Sequence, residues 1–319
     1  MSFNQIKGQD RPVQILKHYI ENERLEGGYL FIGPDGIGKK MTAKALAKAV
    51  NCEANLSDAC DKCFSCLKIE NNQHPDIHTI ESDGSDIKIE VIRQLKKDIN
   101  LRPYEANFKV FIIDNAHTLT AEASNALLKI LEEPPKKSLL ILVTDKPNLL
   151  FKTIISRCKI IKFVALKRSL LEETLKKNYN LDYNLAHFLA YFSEGRLGKA
   201  LRLKEDEIFL NKNNIIDTFS FSAKSRPDSL ASLGKVQMRA ALNILAGWFR
   251  DIYLAKIGIP EAEMINCDRK KELGEAKLSF SFIELNTILA TISNTISYME
   301  RNVNIRLLMY NLRMALWKR

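Results

Sequence analysis

At 319 residues the chain is long enough for two or three domains, and its 46% apolar content is that of a globular protein, not a disordered one. No stretch approaches the roughly 20 apolar residues of a membrane span, and the N-terminal Met1-Ser2-Phe3-Asn4-Gln5 lacks the apolar core of a signal peptide; a cytoplasmic protein with no membrane partner is expected. The formal net charge of +10 makes polyanions, nucleic acid among them, plausible partners.

Residues 11–24 carry Val13, Leu16 and Ile20 at helical spacing with Pro12 near the start, and Gly27-Gly28 breaks the pattern. The apolar run Tyr29-Leu30-Phe31-Ile32 reads as a buried strand, and residues 41–50 read as a helix. Between them lies Gly33-Pro34-Asp35-Gly36-Ile37-Gly38-Lys39-Lys40. Strand, glycine loop and helix is the setting of the phosphate-binding pattern G-x-x-x-x-G-K-[ST]. Gly33, Gly36 and Gly38 let the backbone turn tightly and aim its N–H groups at an anion, and Lys39 is placed to reach the outer phosphates. Position 40 breaks the pattern. Its hydroxyl should ligate magnesium, and a protonated lysine has no lone pair to give. Thr42 is no substitute, since two residues on a helix is roughly 200° of rotation. The loop therefore keeps its phosphate half and loses its metal half. Either it holds ATP or ADP without hydrolysing it, or it is a glycine turn without a ligand.

Six cysteines follow an uneven pattern. Cys158 and Cys267 stand apart, whereas Cys52, Cys60, Cys63 and Cys66 form C-x7-C-x2-C-x2-C. In a cytosolic chain such a cluster reads as a metal site before a disulfide framework. Four thiolates suit Zn2+, and four protein ligands leave no open position for water, so the zinc is expected to be structural. His74 and His78 then read as ordinary surface or packing residues.

Residues 76–80 look like a second strand and 87–99 like an amphipathic helix. Residues 109–114 give a strongly apolar strand ending in Asp114, a carboxylate suited to a metal or its water shell at the ligand-binding edge of a parallel sheet. The next residue, Asn115, cannot take a proton, so the position for a water-orienting base is empty as well. Thr120 caps a helix over 121–133, and Pro134-Pro135 ends it. Further strands are expected at 138–144, closing on Thr144, and at 160–164. Strands alternating with helices predict a parallel, three-layer α/β domain over residues 1–164. Short helices are expected at 167–178, 182–192 and 197–206, a linker near 207–212, a polar mixed stretch at 211–229, and longer amphipathic helices at 236–258 and 281–317. The run Asp268-Arg269-Lys270-Lys271-Glu272 reads as solvated. There is no internal repeat.

Several stretches together carry a family resemblance. Residues 124–135 (S-N-A-L-L-K-I-L-E-E-P-P), residues 156–158 (S-R-C), the cysteine insert after the loop helix and residues 3–10 (F-N-Q-I-K-G-Q-D) resemble the AAA+ clamp-loader subunits of bacterial DNA polymerase III. The resemblance is strong over residues 1–205 and thin beyond. It implies a P-loop AAA+ domain (1–164) with a zinc module at 52–66, a small helical lid (165–207) and an all-α collar (208–319).

The family has an ATP-hydrolysing gamma/tau branch and a delta-prime branch that has usually lost the ATPase. Lys40, Asn115 and Gly198, the last at the place of a second-sensor arginine, favour the second branch, as does the short length. The resemblance further implies a seat in a hetero-pentameric ring with gamma/tau and delta subunits that loads a sliding clamp onto primed DNA. It implies a degenerate nucleotide site of Gly33, Gly36, Gly38, Lys39, Asp114 and Thr144. Arg157 is then a finger offered in trans to a neighbour's ATP, and Cys158 a packing residue. The alternative is a hydrolysing gamma/tau-type subunit.

Overall fold

The computed structural model describes residues 2–54, 57–82, 84–206, 211–220, 234–260, 263–301, 303 and 305–316. The chain forms two compact units, one of residues 1–174 with 194–199 and the other of residues 175–193 with 200–319.

The first unit is built on a five-stranded parallel sheet in the order β2-β3-β4-β1-β5. The strands are β1 (Gly27–Ile32), β2 (Ile77–Ile80), β3 (Lys109–Ile113), β4 (Ser138–Thr144) and β5 (Cys158–Lys162). β3 and β4 are buried along their whole length, as expected where helices cover both faces of a parallel sheet. Alternation sorts the side chains. Tyr29, Phe31, Val110, Ile112, Leu139, Ile141 and Val143 pack in one core with Leu16 of helix α1 (Asp10–Glu21) and Ala43, Leu46 and Ala47 of α2 (Lys39–Val50). Leu30, Phe111, Ile113, Leu140 and Leu142 pack in the other with Ile92, Leu95 and Ile99 of α4 (Ile89–Ile99) and Leu127, Ile130 and Leu131 of α5 (Ala121–Glu132). Thr120 caps α5, its side chain accepting from Ala123 N–H. A three-residue 3-10 turn, Phe3–Gln5, precedes α1, α3 (Phe64–Glu70) lies between α2 and β2, and the single turn α6 (Lys152–Ile155) lies between β4 and β5.

Asp76, immediately before β2, is 1% exposed. It accepts the backbone N–H groups of Tyr104 (2.8 Å), Glu105 (2.9 Å) and Ala106 (3.0 Å), and Lys109 Nζ lies 3.8 Å away. Burial alone would raise its pKa, but the three N–H donors and the ammonium outweigh it and hold the carboxyl below its ordinary 3.8. The lowered folded pKa makes this contribution complete above the ordinary carboxylate range, and it is lost as pH falls through the folded value. Asp76→Asn should cost about 2–4 kcal/mol in urea unfolding at neutral pH. Its deficit relative to the parent chain should shrink as unfolding is repeated at progressively acid pH.

The second unit is helical. It contains α8 (Tyr183–Ser193), Lys212–Ser220, Lys235–Ile257, Lys270–Ser279, Phe282–Glu300 and Ile305–Leu316. α7 (Arg168–Tyr179) and α9 (Leu197–Glu205) each run from the first unit into the second.

Four expectations are corrected here. Residues 212–220 form a helix although their composition reads as polar and mixed; 221–229, and residues 207–210 of the expected linker, lie outside the described residues. The single helix expected at 281–317 is two, Phe282–Glu300 and Ile305–Leu316; the first ends at Arg301, whose N–H turns to Tyr298 O in the tighter three-residue pattern of a helix terminus. The run 268–272 is not a solvated loop. It enters the helix Lys270–Ser279, and Arg269 is buried, paired with Asp217 and lying 5.2 Å over the Trp248 ring, while Asp268 accepts from Lys212 at 2.7 Å. β5 begins at Cys158, two residues ahead of the expected start, because it pairs with β1 from Gly28 onward.

Candidate functional site

β1 is an interior strand, and the glycine loop leaves its C-terminal end. Gly33 has φ +151° and no room for a Cβ, which would lie 2.5 Å from Phe163 O. Gly36 and Gly38 have φ of 76° and 96°, and Gly38 is the N-cap of α2. Lys39 is folded back on the loop, its Nζ donating to Gly33 O and Pro34 O at 2.7 Å each. Burial lowers its pKa, partly offset by Asp145, Asp35 and Asp114. To meet a phosphate, Lys39 must leave those two carbonyls. Gly198, in α9, donates its N–H to Gly36 O at 2.8 Å, and a Cβ there would lie 3.0 Å from that oxygen and 3.1 Å from Gly36 Cα. Gly198 thus touches the loop through its backbone.

Parallel register brings the other predicted residues to the same sheet edge. Ile32 pairs with Thr144 and Ile80 with Ile113, so Glu81, Asp114, Thr144 and the loop all lie at the C-terminal ends of neighbouring strands. Thr144 is buried, its Oγ1 3.1 Å from His117 Nδ1 and accepting from Lys146 N–H at 3.0 Å. Asn115 is left-handed (φ 52°) and exposed, and its N–H donates to Asp114 Oδ1 at 3.0 Å. Lys40 Nζ lies 2.7 Å from Glu81 Oε1 and 3.5 Å from Asp114 Oδ2. Thr42 is buried, and its hydroxyl donates to Gly38 O at 2.9 Å. The residues present therefore do not fit a magnesium ion. The hydroxyl ligand is missing, the nearest hydroxyl on the helix is engaged with the backbone, and an ammonium contacts the carboxylates.

The four cysteines do fit a metal. Cys52 follows α2, Cys63 is the N-cap of α3 and Cys66 lies in its first turn. The four sulfurs lie within 4.8 Å of one another, against the spacing of about 3.8 Å set by tetrahedral Zn–S bonds of about 2.3 Å. All four are free thiols. Backbone N–H groups already favour thiolates: Cys60 N–H donates to Cys52 Sγ (3.4 Å), Cys63 N–H to Cys60 Sγ (3.3 Å) and Cys66 N–H to Cys63 Sγ (3.4 Å). Cys60 is drawn down to about 6, chiefly by the Lys62 and Cys63 N–H groups, whereas burial outweighs such donors at Cys52 and Cys66 and raises both thiols.

The cluster is tied to its surroundings. Asp58 accepts from Phe3 N–H at 2.8 Å, and buried Lys48 of α2 pairs with Asp61 and, at 2.7 Å, with Glu70. Hydrogen bonding to Lys48 holds Glu70 at about 2. His74 is buried and accepts from Asp76 N–H through Nδ1, and His78 stacks on Phe111 at 4.7 Å; neither belongs to the cysteine cluster.

Arg157 lies elsewhere. It precedes β5, whose Cys158 is in register with Gly28, so it sits at the opposite end of the strands from the loop. Roughly 16 Å of strand, five residues at about 3.3 Å each, separates that level from Gly33. Nε donates to Glu132 Oε1 at 2.9 Å, Nη2 lies 2.7 Å from the same oxygen, and Nη1 donates to Thr153 O at 3.0 Å. The side chain is 35% exposed. A guanidinium carries five N–H groups, so this arrangement leaves donors on both terminal nitrogens. Cys158, behind it, packs near Gly28, and burial pushes its thiol up to about 12.

Sequence reasoning missed three residues that shape these sites. Glu81 pairs with Lys40 across 41 positions, and nothing local marks it. Glu132 holds Arg157, though it stood in plain view in the 124–135 motif. Gln9, fully buried, donates to Val164 O at 2.7 Å and Ile37 O at 3.4 Å, tying the N-terminal signature to the loop.

A glycine loop on an interior strand of a β2-β3-β4-β1-β5 parallel sheet, a four-cysteine cluster behind the loop helix and helices thereafter define an AAA+-like P-loop scaffold. Residues 8–167 match the family described as DNA polymerase III, delta subunit, and the chain belongs to that family, as a clamp-loader subunit of the delta' type. It is 29% identical to DNA polymerase III subunit delta' of Bacillus subtilis (strain 168) over 314 residues, 95% of this chain and 94% of that protein. It is 36% identical to subunit gamma of Buchnera aphidicola subsp. Acyrthosiphon pisum over 67% of this chain and 60% of that protein. With subunit tau of Bacillus subtilis (strain 168) the figures are 32%, 65% and 38%. The likeness to delta' runs along nearly the whole of both chains. That to gamma and tau covers about two thirds of this one.

Proposed function

We propose that this chain is the non-hydrolysing member of a hetero-pentameric clamp loader. Gamma/tau and delta subunits are its ring partners, and a sliding clamp and primed DNA are its targets through the complex. Arg157 is its contribution to catalysis, offered to ATP held by a neighbouring gamma-type subunit. One observation carries this reading: Arg157 stands a full strand length from the chain's own loop, farther than an arginine reaches, yet is exposed with donors in hand. Its own loop, with Gly33, Gly36, Gly38, Lys39, Asp114 and Thr144, handles ATP or ADP without cleaving it, since Lys40 and Asn115 stand where a metal-binding hydroxyl and a water-orienting carboxylate would be needed. Zinc held by Cys52, Cys60, Cys63 and Cys66 is structural. Residues 1–164, 165–207 and 208–319 act as AAA+ domain, lid and collar. Among the described residues no helix is long and apolar enough to cross a membrane, and a cytoplasmic site of action suits a replication subunit.

The test is reconstitution. The lone chain should show no ATP turnover with magnesium. Mixed with gamma- and delta-type subunits it should co-elute as one complex with DNA-stimulated ATPase. Brisk turnover by the lone chain would place it with the gamma/tau subunits instead.

A further inference from the structure

Lys40 does more than lack a hydroxyl. Its ammonium bridges the acids that follow β2 and β3, 2.7 Å from Glu81 Oε1 and 3.5 Å from Asp114 Oδ2. A magnesium ion bound to Asp114 Oδ2 at the usual distance of about 2.1 Å would lie no more than about 5.6 Å from Lys40 Nζ. Two like charges that close repel at a partly buried site, and Asp114 is 21% exposed. Thr42 offers no relief, because its hydroxyl is spent on Gly38 O. Half of the positive charge that a divalent ion would bring to this edge of the sheet is already there, covalently attached.

We propose that Lys40 excludes the divalent cation from Asp114 and carries half its charge instead, so that nucleotide phosphates bound by this loop are held without Mg2+. The inference rests on the reading of residues 33–39 as a nucleotide loop. It goes beyond loss of hydrolysis, because it assigns Lys40 a role in setting which form of the ligand, metal-free or metal-bound, the loop accepts. A loop of this kind prefers the metal-free diphosphate, whose charge meets Lys39, Lys40 and the amides at the start of α2.

The experiment is an equilibrium titration of the full chain with a fluorescent ADP analogue, once in EDTA and once in excess Mg2+, for the parent chain and for Lys40→Thr. Mn2+ bound in the presence of ADP, read by electron paramagnetic resonance, reports on the metal itself. The parent chain should show no tightening with Mg2+ and no bound Mn2+. Lys40→Thr should bind the analogue about tenfold or more tightly in Mg2+ than in EDTA and should hold Mn2+. Lys40 is 43% exposed in the first turn of α2, so the substitution leaves the fold in place. Lys40→Ala, which removes the ammonium without adding a ligand, should gain part of the effect.

Tightening by Mg2+ in both proteins, or in neither, overturns the inference. Absence of analogue binding by the parent chain in either buffer would refute the nucleotide-loop reading for this chain.

Discussion

Arg157→Ala is expected to leave the reconstituted ring assembled and to silence the ATP site that this chain faces. A guanidinium supplied in trans to a γ-phosphate is worth about 10^3–10^5 in rate at the site it serves. The ring's total DNA-stimulated ATPase then falls by that site's share. The loss to folding is small. Arg157 and Glu132 are both substantially exposed, 35% and 49%, and a pair so placed contributes under about 1 kcal/mol. Gel filtration and steady-state ATPase separate the two effects, since elution should not change while turnover drops. Arg157→Lys is a sharper variant. It keeps the charge and loses the planar fork, so it should recover little. Unchanged turnover in Arg157→Ala would remove the assignment.

The second large effect lies at the cysteines. One zinc per chain is expected by metal analysis of freshly purified protein, and a strong chelator should unfold residues 52–66. Structural zinc contributes on the order of 10–16 kcal/mol of apparent binding energy in isolated peptides, and binding there is folding. In this chain the cost spreads through named contacts. Asp58 would release Phe3 N–H, and Asp61 and Glu70 would leave Lys48 buried without its partners. A loss of only about 3 kcal/mol lowers Tm by roughly 6–12 °C for a unit of this size. Thermal melts with and without chelator, and of Cys63→Ser, check the expectation. Protein purified free of zinc, or melting unchanged by chelator, would count against the four-thiolate metal site.

What could be read from the residues depended on how far apart the partners are. The middle of the sheet was legible because β1, β3 and β4 carry continuous apolar runs between turn signals, as in Leu139 to Val143. The cysteine cluster was legible because its spacing is short. The buried Arg269 was not. Its neighbours Asp217 and Trp248 are 52 and 21 positions away, and within 268–272 the charges look like any solvated turn. The identity of Lys40 told what was lost from the loop, but its engagement with Glu81 needed the register of β2 on β3. The role of Glu132 was hidden for the same reason: it is read as the end of a helix until β5 brings Arg157 beside it.

The bond from Gly198 N–H to Gly36 O has a consequence for signalling. In a machine driven by nucleotide, the ligand bridges moving parts, and its arrival or departure changes their posture. Here a main-chain amide makes the bridge. Residues 194–199 are therefore joined to the loop through the main chain, and this contact depends neither on a side-chain functional group nor on a ligand.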